Sequence, residues 1–398
     1  MTAVLTGLGL VSPAGDGPAA YWAGLLSAGS EPVPVADRPG MPDGARAYRL
    51  PEPDAVPGPG PVPGWTSADG SRYPRIARTA AAQALADAGI RPGAMDDGLV
   101  GGLFLGTGTG DGEPAEELRD GRRTDGKEAW WPYRSAADLA DQLGFTGPVQ
   151  TVSTACAAGA YAVALAVHAV TSGRVDVALA GGVETVSRPA LASFMRLGAV
   201  DPVHCRPFDA DRAGTVYGEG AAFLVVESEE RAAARGADPI ATVGAGGWSC
   251  DGSHLTAPET GGVQALRAAH DALDRAGFRP EEIAAVVCHG TGTPLNDRTE
   301  SKVMNELLGH RAATVPVTAP KSVIGHSGGA AGAFACATAA LMVRHRRVPP
   351  VANLTRADPD CALAARAEAQ PMRPGPVLLN AYAFGGNNIS LVVGPVSS

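Results

Sequence analysis

The stretch Thr151-Val152-Ser153-Thr154-Ala155-Cys156-Ala157-Ala158-Gly159-Ala160 decides the fold, and it runs directly into an alanine-rich segment. It begins with β-prone residues, turns through small ones and continues as a helix-favouring run. This order predicts a strand, a turn and a helix, with Cys156 at the turn. A thiol at the positive end of a helix dipole is expected to have a lowered pKa and to act as a nucleophile. For this segment alone, a buried cysteine that packs as a small hydrophobic residue is the equal alternative.

Length and composition indicate a large globular chain. Its 398 residues are 45% hydrophobic and 18% charged, which suits two domains or one duplicated domain. The net charge of -9 argues against nucleic acids and anionic membranes as partners. No apolar run has the length of a membrane span, and the first residues lack a basic-then-apolar signal. We therefore expect a soluble, cytoplasmic enzyme.

The cysteines are scattered, and no two of them form a C-x-x-C pair. This spacing predicts neither a disulfide framework nor a metal site, and it suits free thiols in a reducing compartment. The six positions are Cys156, Cys205, Cys250, Cys288, Cys336 and Cys361.

Two distant segments of the chain repeat one another. Residues 84–92 and 272–280 share an Ala-Leu-rich helix end and an AG-x-RP turn. Each is followed by a β-prone run and a Gly-Thr-Gly-Thr loop, at 106–109 and 290–293. The repeat predicts an internal duplication into two layered α/β halves, residues 1–235 and 236–398. Because strands and helices alternate, we expect a mixed, mostly parallel sheet in each half.

Local patterns predict the elements of the first half. Residues 3–6 form a short strand that ends at a Gly-Leu-Gly turn, 7–9, and residues 19–26 form an amphipathic helix. Residues 31–70 are rich in proline, glycine and aspartate and indicate a long surface excursion. Residues 75–88 form a helix that Gly89 ends.

The duplication places a second reactive side chain opposite the first. Cys156 precedes a long alanine-rich helix in the first half, and His326 precedes another, 330–343, in the second. Equivalent turns of two pseudo-symmetric halves commonly build one site at their junction. A further imidazole, His289, follows an apolar strand where the first half has Leu105, so the scaffold itself does not require it.

A thiol and two imidazoles suit acyl chemistry. The thiolate attacks a thioester and becomes acylated, and imidazole N–H groups stabilise an oxygen that gains negative charge. Taken singly, His289 is a structural histidine, Lys321 a solvated cation, and Thr291 and Thr293 helix caps. At the ends of duplicated elements, these residues together predict an active site.

The motifs, in this order, resemble those of the β-ketoacyl-acyl carrier protein synthases. These are the ketosynthases of fatty acid and polyketide assembly, within the thiolase superfamily. The resemblance covers essentially the whole chain and implies an α/β, thiolase-like fold, a duplicated layered α-β-α-β-α core. The matching segments are 6–13, 153–156, 206–209, 218–220, 289–293, 321–326 and 384–388.

The resemblance also implies catalytic roles. Cys156 would take the acyl chain from a phosphopantetheine thioester, and His289 and His326 would assist decarboxylation of a malonyl thioester. Lys321 would orient and tune the region of His326. The backbone N–H groups of Cys156 and Phe384 would form the oxyanion hole.

Binding and assembly follow from the same resemblance. Thr291 and Thr293 would hydrogen-bond the pantetheine arm, the Phe384 ring would gate the acyl pocket, and Glu300 and Asn388 would be structural residues near the site. No tightly bound cofactor or metal is expected. The implied partners are an acyl carrier protein and a second copy of the chain, or a related ketosynthase-like subunit in a heterodimer.

Some positions depart from the family pattern. Ala213 stands where an aspartate is usual, and Ala335 stands where fatty-acid-type members have a glutamate. The missing glutamate, together with Asn296-Asp297-x-x-Glu300, resembles the polyketide branches more than primary fatty acid synthesis. Ser327-Gly328 replaces bulkier residues, so we expect a wider or looser turn there. The segment 111–134 has no counterpart that we can assign, and it would shape the acyl pocket, the dimer face or a carrier-docking patch.

The leading hypothesis is therefore decarboxylative Claisen condensation on carrier-bound substrates, in polyketide or other specialised metabolism. One alternative keeps the acylated Cys156 but performs acyl transfer or intramolecular carbon–carbon cyclisation without malonyl extension. Another alternative is a non-catalytic partner subunit of a second ketosynthase. Degradative thiolases are set aside because they carry a second cysteine near Phe384. Synthases that use coenzyme A thioesters would have asparagine in place of His326.

Overall fold

The computed structural model describes residues 1–35, 40–50, 71–91, 98–122 and 131–396. Helices and strands alternate through most of this chain. The strands are β1 Ala3–Ser12, β2 Gly15–Asp16, β3 Val33–Pro34, β4 Arg46–Tyr48, β5 Gly101–Gly106, β6 Val149–Val152, β7 Val177–Glu184, β8 Tyr217–Gly218, β9 Gly220–Ser228, β10 Ala241–Val243, β11 Gly247–Cys250, β12 Ala285–Val287, β13 Pro316–Thr318, β14 Arg347–Val348, β15 Ala364–Ala365, β16 Gln370–Pro371, β17 Val377–Tyr382 and β18 Asn387–Gly394. The helices are α1 Pro18–Ser27, α2 Arg72–Asp87, α3 Glu113–Arg119, α4 Pro132–Leu143, α5 Ala158–Thr171, α6 Arg188–Arg196, α7 Glu229–Ala234, α8 Val263–Ala276, α9 Pro294–Leu308, α10 Lys321–Ile324 and α11 Ala331–His345.

The long strands form two sections of sheet that are joined in the middle. The order is β6-β5-β7-β9-β1 in the first half and β10-β18-β17-β12-β13-β15 in the second. The outer strands of each section run parallel, whereas β9, β1, β10 and β18 pair antiparallel with their neighbours. The expected mixed sheet is therefore present, but it is parallel only toward its outer ends. β1 also pairs with β10, which links the halves instead of leaving one separate sheet in each.

The sheet sections have apolar residues on both faces, and this produces the layers. On β9, Leu224 faces the central helices, whereas the adjacent Phe223 faces outward toward α2. The central layer consists of α5 and α11, which pack against each other between the two sections. Helices α2 and α4 cover the first section from outside, and α8 and α9 cover the second. The expected duplicated α-β-α-β-α architecture is confirmed.

The first strand is longer than predicted, and glycine is the reason. We expected a turn at 7–9, but β1 continues through both glycines to Ser12. A Cβ at Gly7 or Gly9 would overlap the backbone of α2, which crosses the strand closely. These glycines permit close helix–strand packing and do not form a turn. Helices α1 and α2 match the predicted helices, and Gly89 follows α2 at φ +67°.

Two predicted irregular regions are partly described. Within 31–70, the short strands β3 and β4 form and join β8, and Tyr48 is fully buried, so this stretch is not wholly a surface excursion. Residues 36–39 and 51–70 lie outside the described residues. Within 111–134, helix α3 forms and α4 begins, but residues 123–130, with Arg123, Lys127 and Trp130, lie outside the described residues. None of the described helices is long and apolar enough to cross a membrane.

Candidate active site

Cys156 lies at the predicted junction of strand and helix. Strand β6 ends at Val152, a short 3-10 turn spans Ala155–Ala157, and α5 begins at Ala158. Ala155 has φ +47°, a left-handed conformation that L-residues with a side chain rarely adopt. Such strain persists only where the surroundings hold it, and it is concentrated at functional sites. The turn therefore presents the Cys156 side chain at the start of the central helix layer.

The electrostatics of the thiol differ from the sequence prediction. Burial raises the pKa of Cys156 to about 11, whereas we expected a lowered pKa from the helix terminus. The positive charge of Lys321 and the backbone N–H groups of Phe384 and Cys156 act in the opposite direction. Desolvation of a thiolate outweighs these contributions because Cys156 is only 7% exposed. The backbone N–H groups of Cys156 and Phe384, the predicted oxyanion hole, are near enough to the sulfur to act on its pKa.

The loop that carries His289 is fixed by a buried carboxylate. Oε1 of Glu300 accepts the backbone N–H of His289 at 2.7 Å, and Oε2 accepts that of Gly290 at 2.8 Å. Asn380 donates a further hydrogen bond to Oε1 at 3.3 Å. Burial nevertheless raises the pKa of Glu300 to about 7. Glu300 is therefore a buried hydrogen-bond acceptor for the loop that carries His289.

Lys321 makes its direct contacts with His289, and its charge acts on His326, whose region it was expected to tune. Its Nζ donates to the His289 backbone oxygen at 2.6 Å and lies 3.3 Å from Nδ1 of the same residue. A lysine ammonium has no acceptor capacity, so Nδ1 accepts and the imidazole proton lies on Nε2. Lys321 reaches His326 only through its charge, which lowers the pKa of that imidazole.

Both imidazoles are held in the neutral form. Burial, with the positive charge of Lys321, holds the pKa of His289 and of His326 well below the usual range. The two rings are perpendicular, with centroids 5.8 Å apart. Nδ1 of His326 has no hydrogen-bond partner among the described residues. Each neutral imidazole carries one N–H group, so both can act as hydrogen-bond donors near pH 7.

The turn after His326 is tight, contrary to the prediction of a looser turn. Ser327 and Gly328 are buried, and Gly328 has φ +44°. A Cβ at Gly328 would lie 2.6 Å from Oε2 of Glu184. The small residues at this turn let a buried carboxylate approach, and they do not widen the turn.

The predicted residues line one cavity of about 320 Å³. Cys156 and both imidazoles lie on its wall, and Lys321 lies behind His289. Thr291 and Thr293 are hydrogen-bonded to each other through their hydroxyl groups, at 2.9 Å. The predicted residues that line the cavity are Cys156, His289, Thr291, Thr293, His326, Phe384 and Asn388, together with Ala213.

Two aromatic rings and one polar pair shape the cavity near the thiol. Phe384 stacks on Phe194 of α6, with ring centroids 5.6 Å apart, and Phe194 meets His326 edge to face at 5.8 Å. Asn388 donates to Asp251 at 2.6 Å, and the N–H of Asp251 donates to the Gly386 oxygen. These contacts fix the turn that presents the N–H of Phe384.

The sequence interpretation missed Phe194, Asp251 and Glu184. Nothing in a single sequence distinguishes Phe194 or Asp251 from ordinary helix and loop residues. Glu184 did leave a signal, because it is a charged residue at the end of an otherwise apolar strand, β7. Among the described residues, no group of three or more histidine, cysteine, aspartate or glutamate side chains could hold a metal ion.

Comparison with known proteins gives a consistent result. The chain matches the family description "Beta-ketoacyl synthase, N-terminal domain" over residues 2–232 and "Beta-ketoacyl synthase, C-terminal domain" over residues 240–355. A polyketide beta-ketoacyl synthase of Streptomyces cyaneus is 36% identical over 417 aligned positions, which cover 98% of this chain and 97% of the relative.

Solved structures are similar over nearly the whole chain. One, described as "The ishigamide ketosynthase/chain length factor", has a TM-score of 0.90 and 37% identity, and the match covers 100% of this chain and 99% of that one. A second is described as a type II PKS acyl-carrier protein in complex with its ketosynthase bound to the hexaketide. It has a TM-score of 0.85 and 25% identity, and the match covers 99% of both chains.

Proposed function

This chain belongs to the β-ketoacyl synthase family, and we propose that it forms carbon–carbon bonds by decarboxylative Claisen condensation. The acyl group is held on Cys156, and the second substrate is a malonyl-type thioester on an acyl carrier protein. The observation that carries the proposal is the convergence of Cys156, His289 and His326 on one cavity, with a backbone N–H of Phe384 at the sulfur.

Acyl loading is the first step. The Cys156 sulfur attacks the carbonyl carbon of the acyl thioester, and the N–H groups of Cys156 and Phe384 stabilise the oxygen that becomes negative. The carbon–sulfur bond to the carrier then breaks, and the thiol proton of Cys156 ends on the departing carrier thiol. The acyl group then lies in the cavity, beside Phe194 and Phe384.

Decarboxylation is the second step, and it uses the two neutral imidazoles. The malonyl carboxylate leaves as carbon dioxide, and its bonding electrons form an enolate on the thioester oxygen. Nε2–H of His289 is a donor for that oxygen because Nδ1 is engaged by Lys321. His326 supplies the second imidazole. The enolate carbon then attacks the acyl carbon, the Cys156–acyl bond breaks, and the sulfur takes up one proton.

We also propose that both substrates are bound to a carrier protein. The arm that presents them is a phosphopantetheine thioester, which we place along Thr291 and Thr293 because both line the cavity. The solved complex of a carrier protein with its ketosynthase supports this assignment. No tightly bound cofactor takes part in either step. Polyketide assembly is the setting that the relatives named above favour.

We also propose that the chain works as a dimer. Strand β6, which leads to Cys156, is the last strand at one end of the sheet that the described residues form, and Val149 on it is 40% exposed. A similar solved structure pairs a ketosynthase with a chain length factor. Light scattering of the isolated protein distinguishes the two forms, since a homodimer has twice the chain mass and a heterodimer needs the second subunit.

Acyl loading of single-cysteine variants tests the nucleophile. The protein is incubated with an acyl-loaded carrier protein, and the intact mass is then measured. Wild type gains the mass of one acyl group, and Cys156→Ala gains none. Cys250→Ala is the matched control because Cys250 is an exposed free thiol, and it is expected to load like wild type. An acyl group found on Cys156→Ala would show that another residue is the nucleophile.

A further inference from the structure

Glu184 is a fully buried carboxylate that the steps above do not use. It lies at the end of β7, and its two oxygens accept hydrogen bonds from two different loops. Oε2 accepts the backbone N–H groups of Gly108 and Gly329, each at 2.7 Å. Oε1 accepts the hydroxyl of Thr109 at 3.1 Å.

These donors belong to the two site-bearing regions of the molecule. Gly108 and Thr109 follow β5 in the first half, and the Ser153 hydroxyl, three residues before the nucleophile, donates to the Gly108 oxygen at 3.3 Å. Gly329 lies in the second half, three residues after His326. One carboxylate therefore binds the loop behind Cys156 and the turn that carries His326.

The backbone around Glu184 has room for the carboxylate and for little else. A Cβ at Gly108 would lie 2.7 Å from Oε2, and one at Gly328 would lie 2.6 Å from it. A Cβ at Gly329 would overlap the backbone of Thr107 and Gly108. Three glycines from both halves thus bring backbone close to the carboxylate, which is the arrangement expected of a fixed contact.

The charge of Glu184 also affects the pKa of residues at the site. Burial raises its pKa to about 7, although its hydrogen-bond donors act to lower it. Its charge in turn acts to raise the pKa of Cys156, and also that of Tyr73 and Tyr217. In either protonation state, one oxygen can accept both backbone N–H groups, so the contact between the loops does not depend on the charge.

We propose that Glu184 is a positioning residue whose hydrogen bonds hold the His326 turn against the loop behind Cys156. Its role is to keep the His326 imidazole where the malonyl thioester decarboxylates, so this inference rests on the proposed function. Displacement of a catalytic group by about 1 Å can cost on the order of a hundredfold in rate. Alkylation of Cys156 by iodoacetamide needs no imidazole at the substrate oxygen, and it reports on the thiol alone.

Four variants separate the hydrogen bonds from the charge. Glu184→Ala removes the contact, and Glu184→Asp shortens the side chain so that it cannot reach both loops. Glu184→Gln keeps an oxygen for the two N–H groups and can donate its amide to Thr109, but it carries no charge. Glu227→Ala is the control, since Glu227 is equally buried and pairs with the start of β7, at the strand end opposite Glu184.

The measurements are carbon dioxide release from malonyl-carrier protein, the alkylation rate of Cys156, and the melting temperature of the full-length protein. We expect Glu184→Ala and Glu184→Asp to lose about tenfold or more in decarboxylation while Cys156 alkylates at least as fast as in wild type. Glu184→Gln retains decarboxylation within about threefold, and Glu227→Ala retains it despite a lowered melting temperature.

Two results would overturn the inference. One is folded Glu184→Ala or Glu184→Asp protein that decarboxylates as fast as wild type, and the other is Glu184→Gln that is as impaired as Glu184→Ala. If Glu184→Ala does not fold, the decarboxylation rates of Glu184→Asp and Glu184→Gln test the inference. If the wild-type protein releases no carbon dioxide, this result contradicts the proposed function instead. Because wild type is measured first, the two failures are distinguished before any variant is compared.

Discussion

Cys156 should react with iodoacetamide only slowly at neutral pH, and its rate should increase steeply with pH. Burial places the thiol pKa at about 11, against an ordinary value of 9.0. This difference is about 3 kcal/mol in favour of the protonated thiol. Because only the thiolate reacts, the reactive fraction is about one in a thousand at pH 8 and about one in ten at pH 10.

The expected rate profile follows from these fractions. Between pH 7 and pH 9 the alkylation rate of Cys156 should increase about a hundredfold, with no plateau. The rate is followed by mass spectrometry of the peptide that contains Cys156, at a series of pH values. The peptide that contains the exposed Cys250 gives an internal reference for the reagent in the same digest.

A second variant tests the physical reason for that profile. Lys321 is buried beside His289, and its positive charge lowers the pKa of Cys156. Lys321→Met has a similar length and no charge, so its Cys156 should alkylate more slowly than wild type at pH 9. A wild-type plateau below pH 8 would refute the reasoning, because it would mean that the cation and the two N–H groups outweigh burial. Faster alkylation of Lys321→Met would refute it as well.

Two further predictions concern stability. Gly9→Ala should lower the free energy of unfolding by about 1–3 kcal/mol in urea titrations, because its Cβ would lie 2.5 Å from the Ala84 nitrogen of α2. Gly29→Ala should change it little, because its Cβ would meet only the movable hydroxyl of Ser27, at 3.3 Å. An equal loss of unfolding free energy in the two variants would contradict this close packing of α2 on β1. Burial raises the pKa of Glu300 to about 7 from an ordinary 4.5, so ionisation is less favourable in the folded protein, and the stabilising contribution present at low pH is lost as the pH rises through 7. The difference in free energy of unfolding between wild type and Glu300→Gln should therefore shift by about 3 kcal/mol in favour of the variant between pH 4.5 and 7, and a pH-independent difference would contradict it.

The sequence could predict that Cys156, His289 and His326 lie together because each of them lies at the end of a duplicated element. Cys156 and His326 precede the two central helices, α5 and α11, and His289 follows a strand in the second half. Each position has a local signal, a β-prone run beside small residues and an alanine-rich helix. The layers followed from the same repeat, since two copies of one α/β unit bury their apolar faces against each other.

What the sequence could not indicate depends on distant packing. Gly7 and Gly9 have the pattern of a turn until α2 is known to cross β1 within backbone contact. The direction of the Cys156 pKa depends on how deeply the thiol is buried, and no local pattern gives that depth. The contact of Lys321 with His289, and that of Glu184 with both halves, join residues that are 32 and more positions apart.

The most direct test of the central claim is the mass of the carrier-bound product. Wild type is incubated with an acyl-loaded carrier protein and a malonyl-loaded carrier protein, and the masses of both carriers and the released carbon dioxide are measured. Condensation on Cys156 predicts one carbon dioxide per turnover and a β-ketoacyl group, two carbons longer than the acyl donor, on the former malonyl carrier. If the protein is acylated on Cys156 but only transfers or cyclises the acyl group, without carbon dioxide release, this result would contradict decarboxylative condensation.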